Sequence, residues 1–101
     1  MRCRSCKPVP EEVRRAADLL ERRYAIAVLW ASNSGATRFN EFRQSVTGVS
    51  PRTLTERLRD LERAGVLERR VVPASPPYAE YRLTDRGAQL AAVVRALSSI
   101  P

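Results

Sequence analysis

One stretch of this chain, residues 50–64, limits the possible folds more than any other. It reads SPRTLTERLRDLERA and is followed at once by Gly65. Ser50 can cap the first free backbone N–H groups, and Pro51 has the fixed φ that suits the first helical position. Gly65 can adopt the left-handed conformation that commonly ends a helix. The sequence therefore predicts one helix with a defined beginning and end.

The predicted helix has two different faces. Leu54, Leu58 and Leu61 recur at the spacing i, i+4, i+7, which places them on one side. The opposite side carries the charged residues Arg52, Glu56, Arg59 and Arg63. This arrangement suits a short helix that lies on a small core and reaches into a DNA groove. A solvated surface helix is the alternative, and the neighbouring segments favour the first interpretation.

Length, composition and charge indicate a single basic domain. A chain of 101 residues suits one domain, and 44% hydrophobic with 29% charged residues is typical of a globular protein. The net charge of +7 favours a polyanionic partner, nucleic acid before an anionic membrane. Except for Lys7, all 18 cationic residues are arginine, whose planar guanidinium pairs with phosphates and guanine edges.

The N-terminal segment is predicted to be a flexible tail over residues 1–10, before a domain that spans residues 11–101. It lacks the apolar core of a signal peptide, and the longest apolar run, residues 24–31, is too short to cross a membrane. These features predict a cytoplasmic protein with no membrane partner, associated with the nucleoid through DNA. Cys3 and Cys6 would normally be reduced there.

Two helices are predicted before the first turn. Residues 11–20 form an amphipathic pattern, whereas residues 24–31 are apolar nearly all round, as expected of a buried helix. No glycine or proline separates them, so a kink around residues 21–23 and one continuous helix both remain open.

A helix-turn-helix pattern follows. After a turn at residues 32–35, residues 36–39 could form a very short strand, and residues 40–46 make two helical turns. The Gly-containing turn at residues 47–49 then runs directly into the capped helix. A short helix, a tight turn and a second helix with an aliphatic face are typical of a DNA-binding helix-turn-helix.

The C-terminal third is predicted to be a β-hairpin and a last helix. Residues 66–72 are rich in β-branched side chains, residues 73–77 contain three prolines, and residues 78–83 alternate, which together indicate a wing. Thr84 is a good N-cap for a helix running to about Ser99. That helix carries more apolar surface than a terminal helix of one small domain can bury, which implies a second subunit as partner. The alternative is that its alanines only raise helix propensity.

Several motifs in order carry a family resemblance. Residues 38–42 (RFNEF), 48–58 (GVSPRTLTERL), 61–69 (LERAGVLER) and 80–87 (EYRLTDRG) resemble the HxlR-type winged helix-turn-helix regulators. The similarity extends over roughly residues 11–98. It implies a mainly α fold with a small β-hairpin and a prokaryotic transcription regulator that works as a homodimer on a (pseudo)palindromic operator.

The resemblance also implies roles for the predicted elements. Residues 50–64 become the recognition helix and residues 66–83 the wing, and the subunits pair through the first and last helices. Two departures from the family occur. Residues 21–24 (ERRY) replace a Gly-Gly-Lys-Trp-like turn, and the cysteines precede the position of the single family cysteine, so a sensing role is not transferred. The expected interface residues are Val13, Ala17, Leu20, Leu90, Val94 and Leu97.

Candidate DNA contacts lie on the outer face of the recognition helix and on the wing. Short polar residues at the helix start can reach phosphates, while arginine can pair with guanine and Glu56 with the cytosine amino group. Arg57 lies nearer the leucine face and is expected to form a structural ion pair. Because adjacent strand residues face opposite ways, Arg69 and Arg70 cannot both face DNA without a bulge. The predicted DNA-binding residues are Arg38, Ser50, Pro51, Arg52, Thr53, Thr55, Glu56, Arg59, Arg69, Arg70 and Arg82.

The cysteine pair has the CxxC spacing of redox and zinc sites. Zinc needs four ligands, and the chain has no histidine and no other cysteine, so no metal and no cofactor are predicted. Redox chemistry at Cys3 and Cys6 needs no further ligands, and neighbouring cations favour the reactive thiolate. The alternative is a pair of cysteines in the tail without a function. The residue pattern also contains no recognisable catalytic motif, so an enzyme is not expected. A small-molecule or redox effector and a protein-binding module on the same scaffold remain the open alternatives.

Overall fold

The computed structural model describes residues 6–100 as a mainly helical protein with one β-hairpin. The predicted fold class, a winged helix-turn-helix, is confirmed in its element order. In this part of the chain the elements are α1 (Glu11–Leu20), α2 (Ala25–Asn33), α3 (Phe39–Ser45), α4 (Pro51–Arg63), β1 (Leu67–Val72), β2 (Tyr78–Leu83) and α5 (Asp85–Ala96), followed by a 3-10 turn (Leu97–Ser99). Among these helices, none is both long and apolar enough to cross a membrane.

The helix expected at residues 50–64 has the predicted ends and the predicted buried face. Ser50 has an extended backbone, and its hydroxyl accepts a hydrogen bond from the Thr53 N–H at 3.1 Å. Gly65 has φ 75°, the left-handed conformation that any larger side chain would disfavour. The three leucines of the inner face, Leu54, Leu58 and Leu61, are fully buried in the core. Local signals therefore determine both the position and the orientation of α4.

The first two helices are separate. Helix α1 ends at Leu20, and the chain turns through residues 21–24, where Tyr24 has φ 70°. Helix α2 buries Val28 and Leu29 completely, but it is not buried all round as predicted. Ile26 and Trp30 are each 41% exposed. A helix this short packs one face on its neighbours, and the side chains of its other face stay partly exposed.

The strand predicted at residues 36–39 is absent. Phe39 instead begins α3, and the only strand-like feature here is one hydrogen bond from the Tyr81 N–H to the Thr37 carbonyl at 2.8 Å. The Glu41 carboxylate accepts hydrogen bonds from the N–H groups of Thr37 and Arg38, each at 2.9 Å. This capping box marks the start of α3.

The hairpin pairs antiparallel from Leu67 opposite Leu83 to Val72 opposite Tyr78. Leu67 is buried at the base of the hairpin, where Tyr81 and Leu83 also pack against the core. The wing therefore rests on the core at its base and projects at its tip.

Helix α5 docks against the start of the hairpin. The Thr84 side chain caps it by accepting from the Gly87 N–H at 3.0 Å, as predicted, and the Thr84 N–H donates to the Val66 carbonyl at 3.1 Å. A Cβ atom on Gly87 would lie 2.0 Å from the Val66 carbonyl oxygen. Glycine is required at this position by close backbone approach.

Candidate nucleic-acid interface

The outer face of α4 presents charged side chains to solvent. The Arg52 side chain is 91% exposed, and its Nε lies 3.6 Å from Oε1 of Glu56, a weak contact. Arg59 is exposed and forms no ion pair with any residue in the range 6–100. Arg52 and Arg59 are seven positions apart, which is two helical turns or about 10 Å along the axis. Both guanidinium groups are thus available on one side of a helix whose opposite side is fixed in the core.

Arg57 has the structural role predicted for it. Its side chain is only 16% exposed and pairs with the equally buried Asp60 on the next turn. Asp60 also forms an ion pair with Arg22 at 2.8 Å, so one carboxylate joins α4 to the segment between α1 and α2. Arg57 and Asp60 therefore have a structural role.

The hydroxyl groups at the start of α4 are engaged within the helix. Ser50 Oγ donates to Thr53 Oγ1 at 3.0 Å, and Thr55 Oγ1 donates to the Pro51 carbonyl at 2.8 Å. To donate to a phosphate, the Ser50 and Thr55 hydroxyls would have to give up these hydrogen bonds, whereas the Thr53 hydroxyl accepts from Ser50 and keeps its own proton to donate. Ser50 and Thr55 therefore stabilise the start of α4, and the exposed Arg52 side chain extends beyond it.

The two faces of the wing differ in charge. Residues directly opposite each other share a face, which places Glu68, Arg70, Glu80 and Arg82 together. On that face Arg70 pairs with Glu68 at 3.1 Å and Arg82 with Glu80 at 3.3 Å.

Arg69 lies on the other face of the hairpin, opposite Tyr81. It is exposed and lacks an ion pair among the described residues. The expected division of Arg69 and Arg70 between faces is confirmed, and no bulge interrupts the pairing of β1 with β2.

Arg38 links the helix-turn-helix to the wing. Its guanidinium carbon lies 3.8 Å from the centroid of the Tyr78 ring, a cation–π contact. Sequence reasoning did not identify Tyr78, because forty residues separate it from Arg38 and no local pattern connects them. Behind Arg38, backbone hydrogen bonds from Thr37 and then from Arg38 itself hold the pKa of the Glu41 carboxyl below its ordinary value.

The residues predicted for a subunit interface differ in exposure. Val13 is 51% and Leu97 is 45% exposed, while Ala17, Leu20 and Leu90 are half-buried. Val94 needs correction, since it is 1% exposed within the single chain and has no surface to offer a second subunit. The buried face of α5 carries Gly87, Ala91 and Val94 at helical spacing, and the adjacent Val93 is 59% exposed instead.

An apolar surface missed by sequence reasoning lies beside Leu97. Ile26 and Trp30 of α2 line an open cavity of about 670 Å³ together with Leu20 and Leu97. Helix α2 was expected to be buried on all sides, and the exposed fraction of Trp30 depends on tertiary packing that periodicity does not reveal.

The cysteine pair falls at the edge of the described chain. Cys3 lies outside residues 6–100, so its predicted redox role has no structural description. Cys6 is disulfide-bonded. Residues 6–10 form neither helix nor strand, and residues 6–100 contain no cluster of side chains suited to a metal ion.

Comparison with known proteins gives a consistent family. The HxlR-like helix-turn-helix family model matches residues 19–100. The HTH-type transcriptional regulators YvaP and YodB of Bacillus subtilis are 37% and 32% identical over 84 residues each, which is 83% of this chain and 78% and 75% of theirs. The chain spans 65% and 60% of the length of two further relatives, which are named as HTH-type transcriptional regulators of Synechocystis sp. and Escherichia coli.

The fold is also similar to those of solved regulator structures. The diamide-treated YodB from B. subtilis has a TM-score of 0.79 at 29% identity, covering 92% of each chain. The redox regulator HypR in its oxidized form has a TM-score of 0.79 at 32% identity, covering 87% of this chain and 91% of HypR.

Proposed function

Since the chain belongs to the HxlR-like helix-turn-helix family, we propose that it regulates transcription as a homodimer that binds a (pseudo)palindromic operator in double-stranded DNA. One observation carries the proposal. Helix α4 exposes Arg52 and Arg59 on one side and anchors its other side through three fully buried leucines. A helix fixed in this way can enter a major groove without losing its orientation.

In the proposed complex, α4 reads base edges and the wing binds the backbone. Arg52 and Arg59 each offer a bidentate guanidinium to guanine, and Glu56 can accept from a cytosine amino group. Arg69 is the wing residue best suited to a phosphate, because no carboxylate in the described chain neutralises it. Arg38, held against Tyr78, supplies a second phosphate contact beside the helix-turn-helix.

The homodimer is proposed from the exposed apolar surface. Val13 on α1, Ile26 and Trp30 on α2, Val93 on α5 and Leu97 after it are large apolar side chains, each at least 41% exposed in the single chain. Ile26, Trp30 and Leu97 line one open cavity, and exposed apolar patches mark interaction sites in soluble proteins. A two-fold dimer would cover the same surface on both subunits. The proposed site of action is the cytoplasm, on nucleoid DNA, with no catalytic activity.

Selection from a pool of random duplexes tests this function. Bound duplexes should be enriched for two related half-sites in inverted orientation, about 34–36 Å or a multiple of that spacing apart. Footprinting on an enriched duplex should show protection repeated on one face of the DNA. Enrichment of no sequence would contradict the proposal and favour the protein-binding module.

A redox response is a second candidate, and the disulfide at Cys6 is the observation that favours it. Oxidant should then change the affinity for the enriched duplex, and the variant Cys3→Ser with Cys6→Ser should abolish that change. Equal affinity of the unmodified protein in reduced and oxidised form would leave both cysteines without a regulatory role.

A further inference from the structure

We infer that residues 21–24, the segment between α1 and α2, hold the recognition helix at both of its ends, and that Arg22 and Tyr24 are positioning residues for DNA reading. The inference rests on the proposed function, because it assigns these residues a role only if α4 is the reader. Neither residue belongs to the predicted DNA-contacting surface.

The first contact holds the start of α4. The Tyr24 hydroxyl donates a hydrogen bond to the Gly48 carbonyl at 3.3 Å. Gly48 has φ 83° and lies in the tight turn two residues before the Ser50 cap. The Tyr24 ring itself is half-buried and packs against the core, so its hydroxyl is brought to the turn by a fixed side chain.

The second contact holds the last turns of α4. Arg22 Nη1 lies 2.8 Å from Oδ1 of Asp60, whose side chain is 16% exposed. The other carboxylate oxygen of Asp60 accepts from Arg57 on the same helix. The Arg22 side chain is 49% exposed, so solvent screens the pair from the arginine side and less from the side of the carboxylate. Asp60 directly follows Arg59, one of the two proposed base-reading residues.

The backbone of the segment supports the same inference. Tyr24 has φ 70°, a left-handed conformation that a bulky residue rarely adopts. Such an outlier persists only where the surrounding structure determines it. Here the sharp turn places Arg22 and Tyr24, two residues apart, against opposite ends of a helix 13 residues long.

The segment also ends α1, which is one of the proposed interface helices. The same four residues therefore join the subunit contact to the reading helix. With both contacts present, α4 cannot pivot relative to α1, and the separation of the two reading helices in a dimer is fixed. Without them, the buried leucines keep α4 folded on the core but leave its angle less restricted. Recognition of half-site spacing should then weaken, while contacts to phosphate remain.

The test compares the double variant Arg22→Gln with Tyr24→Phe against Arg14→Gln. Arg14 is an exposed arginine of α1 without an ion pair among the described residues, so its variant removes one charge and no tie to α4. Binding is titrated on the selected duplex, on versions with one or two base pairs added between the half-sites, and on a scrambled duplex. Thermal unfolding of each variant is followed in parallel, and Arg22→Lys with Tyr24→Phe serves as the conservative rescue of the ion pair.

We expect the double variant to bind the selected duplex about 5- to 10-fold more weakly, with scrambled binding equal to that of Arg14→Gln and with less discrimination against altered spacing. The variant Arg22→Lys with Tyr24→Phe should recover the part of the discrimination that the Arg22–Asp60 pair supplies. Unchanged discrimination, or an equal loss on all duplexes, would overturn the inference. If the double variant unfolds, Tyr24→Phe alone is tested instead. The same two measurements apply to it: discrimination against altered spacing and binding to the scrambled duplex. A wild-type protein that prefers no duplex would instead refute the proposed function itself.

Discussion

At the scale of single residues, the arginines of the interface differ by what they already bind. Arg57 is held by Asp60, and Arg70 and Arg82 are paired with glutamates on their own strands, whereas Arg59 and Arg69 have no carboxylate partner in residues 6–100. An unpaired guanidinium can neutralise a phosphate without first losing an intramolecular contact. The availability of each arginine for a phosphate therefore depends on its existing partners and not on its charge alone.

The wing provides the clearest comparison of this kind. Arg69→Ala should weaken binding equally on all duplexes and lower the slope of log affinity against log salt by about 1. Arg70→Ala should lower it by less, because Glu68 already shares the charge of Arg70. Titrations at several salt concentrations measure both slopes. A larger change for Arg70→Ala would place the opposite face of the hairpin on DNA.

Glu41 gives a pH-dependent prediction. Its pKa is lowered because the carboxylate accepts from the Thr37 N–H, then the Arg38 N–H, so the native state favours the charged form. The stabilisation is present above the ordinary carboxyl pKa and is lost as pH falls through the lowered native value. Relative to wild type, Glu41→Gln should be less stable at neutral pH and nearly equal to it once the pH has fallen below the lowered native pKa.

Unfolding by urea across this pH range measures the difference. Glu62→Gln, an exposed carboxylate on α4 without an ion pair in the described chain, is the control and should show no such dependence. A Glu41→Gln difference that stays constant with pH would show that the cap does not depend on the charge.

At the scale of elements, the sequence predicted those helix ends and buried faces that residues within the same helix determine. Ser50, Pro51 and Gly65 act within one helix, so α4 was predictable with its ends and its buried face. The separation of α1 from α2 was not, because Tyr24 adopts its left-handed backbone through tertiary contacts. The phase of α5 was also misjudged, since Val93 and Val94 are neighbours of equal apolarity and only packing decides which is buried.

The docking of α5 depends on one glycine. In an exposed helix, Gly87→Ala would gain up to about 1 kcal/mol from helix propensity. Here the new Cβ would lie 2.0 Å from a backbone oxygen of Val66, which cannot move without shifting β1. We expect the steric cost to prevail, with a net loss of roughly 1–3 kcal/mol in the free energy of unfolding.

Chemical denaturation measures this loss, with Gln89→Ala on the exposed face of α5 as the control, expected to change stability by less than about 0.5 kcal/mol. A stabilised Gly87→Ala variant would show that α5 can move away from the hairpin without cost.

At the scale of the whole molecule, the proposed DNA binding requires two copies of the chain. Large apolar side chains that one chain leaves exposed include Val13 on α1, Ile26 and Trp30 on α2, Val93 on α5 and Leu97 after it. Composition alone indicated a basic domain and the last helix indicated a partner. The contribution of Ile26 and Trp30 to that surface required the packed structure, because their helix is apolar on every side in the sequence.

Two substitutions near the C-terminus should separate folding from association. Leu97→Asp places a charge on a side chain that is 45% exposed, so it should yield a folded monomer with weakened DNA binding. Val94→Asp places a charge in the core and should unfold the chain, at a cost above about 3 kcal/mol. Sedimentation at micromolar concentration and circular dichroism distinguish the two outcomes. A folded Leu97→Asp dimer would exclude this surface as the interface.

The central claim is that α4 reads the operator through Arg52 and Arg59. The most direct measurement is the ratio of affinities for the selected and the scrambled duplex, determined at several salt concentrations for wild type, Arg52→Ala and Arg59→Ala. Each substitution should cost roughly 1–3 kcal/mol on the selected duplex and relax the preference at one base position per half-site. If both variants keep the wild-type ratio, α4 is not the reader.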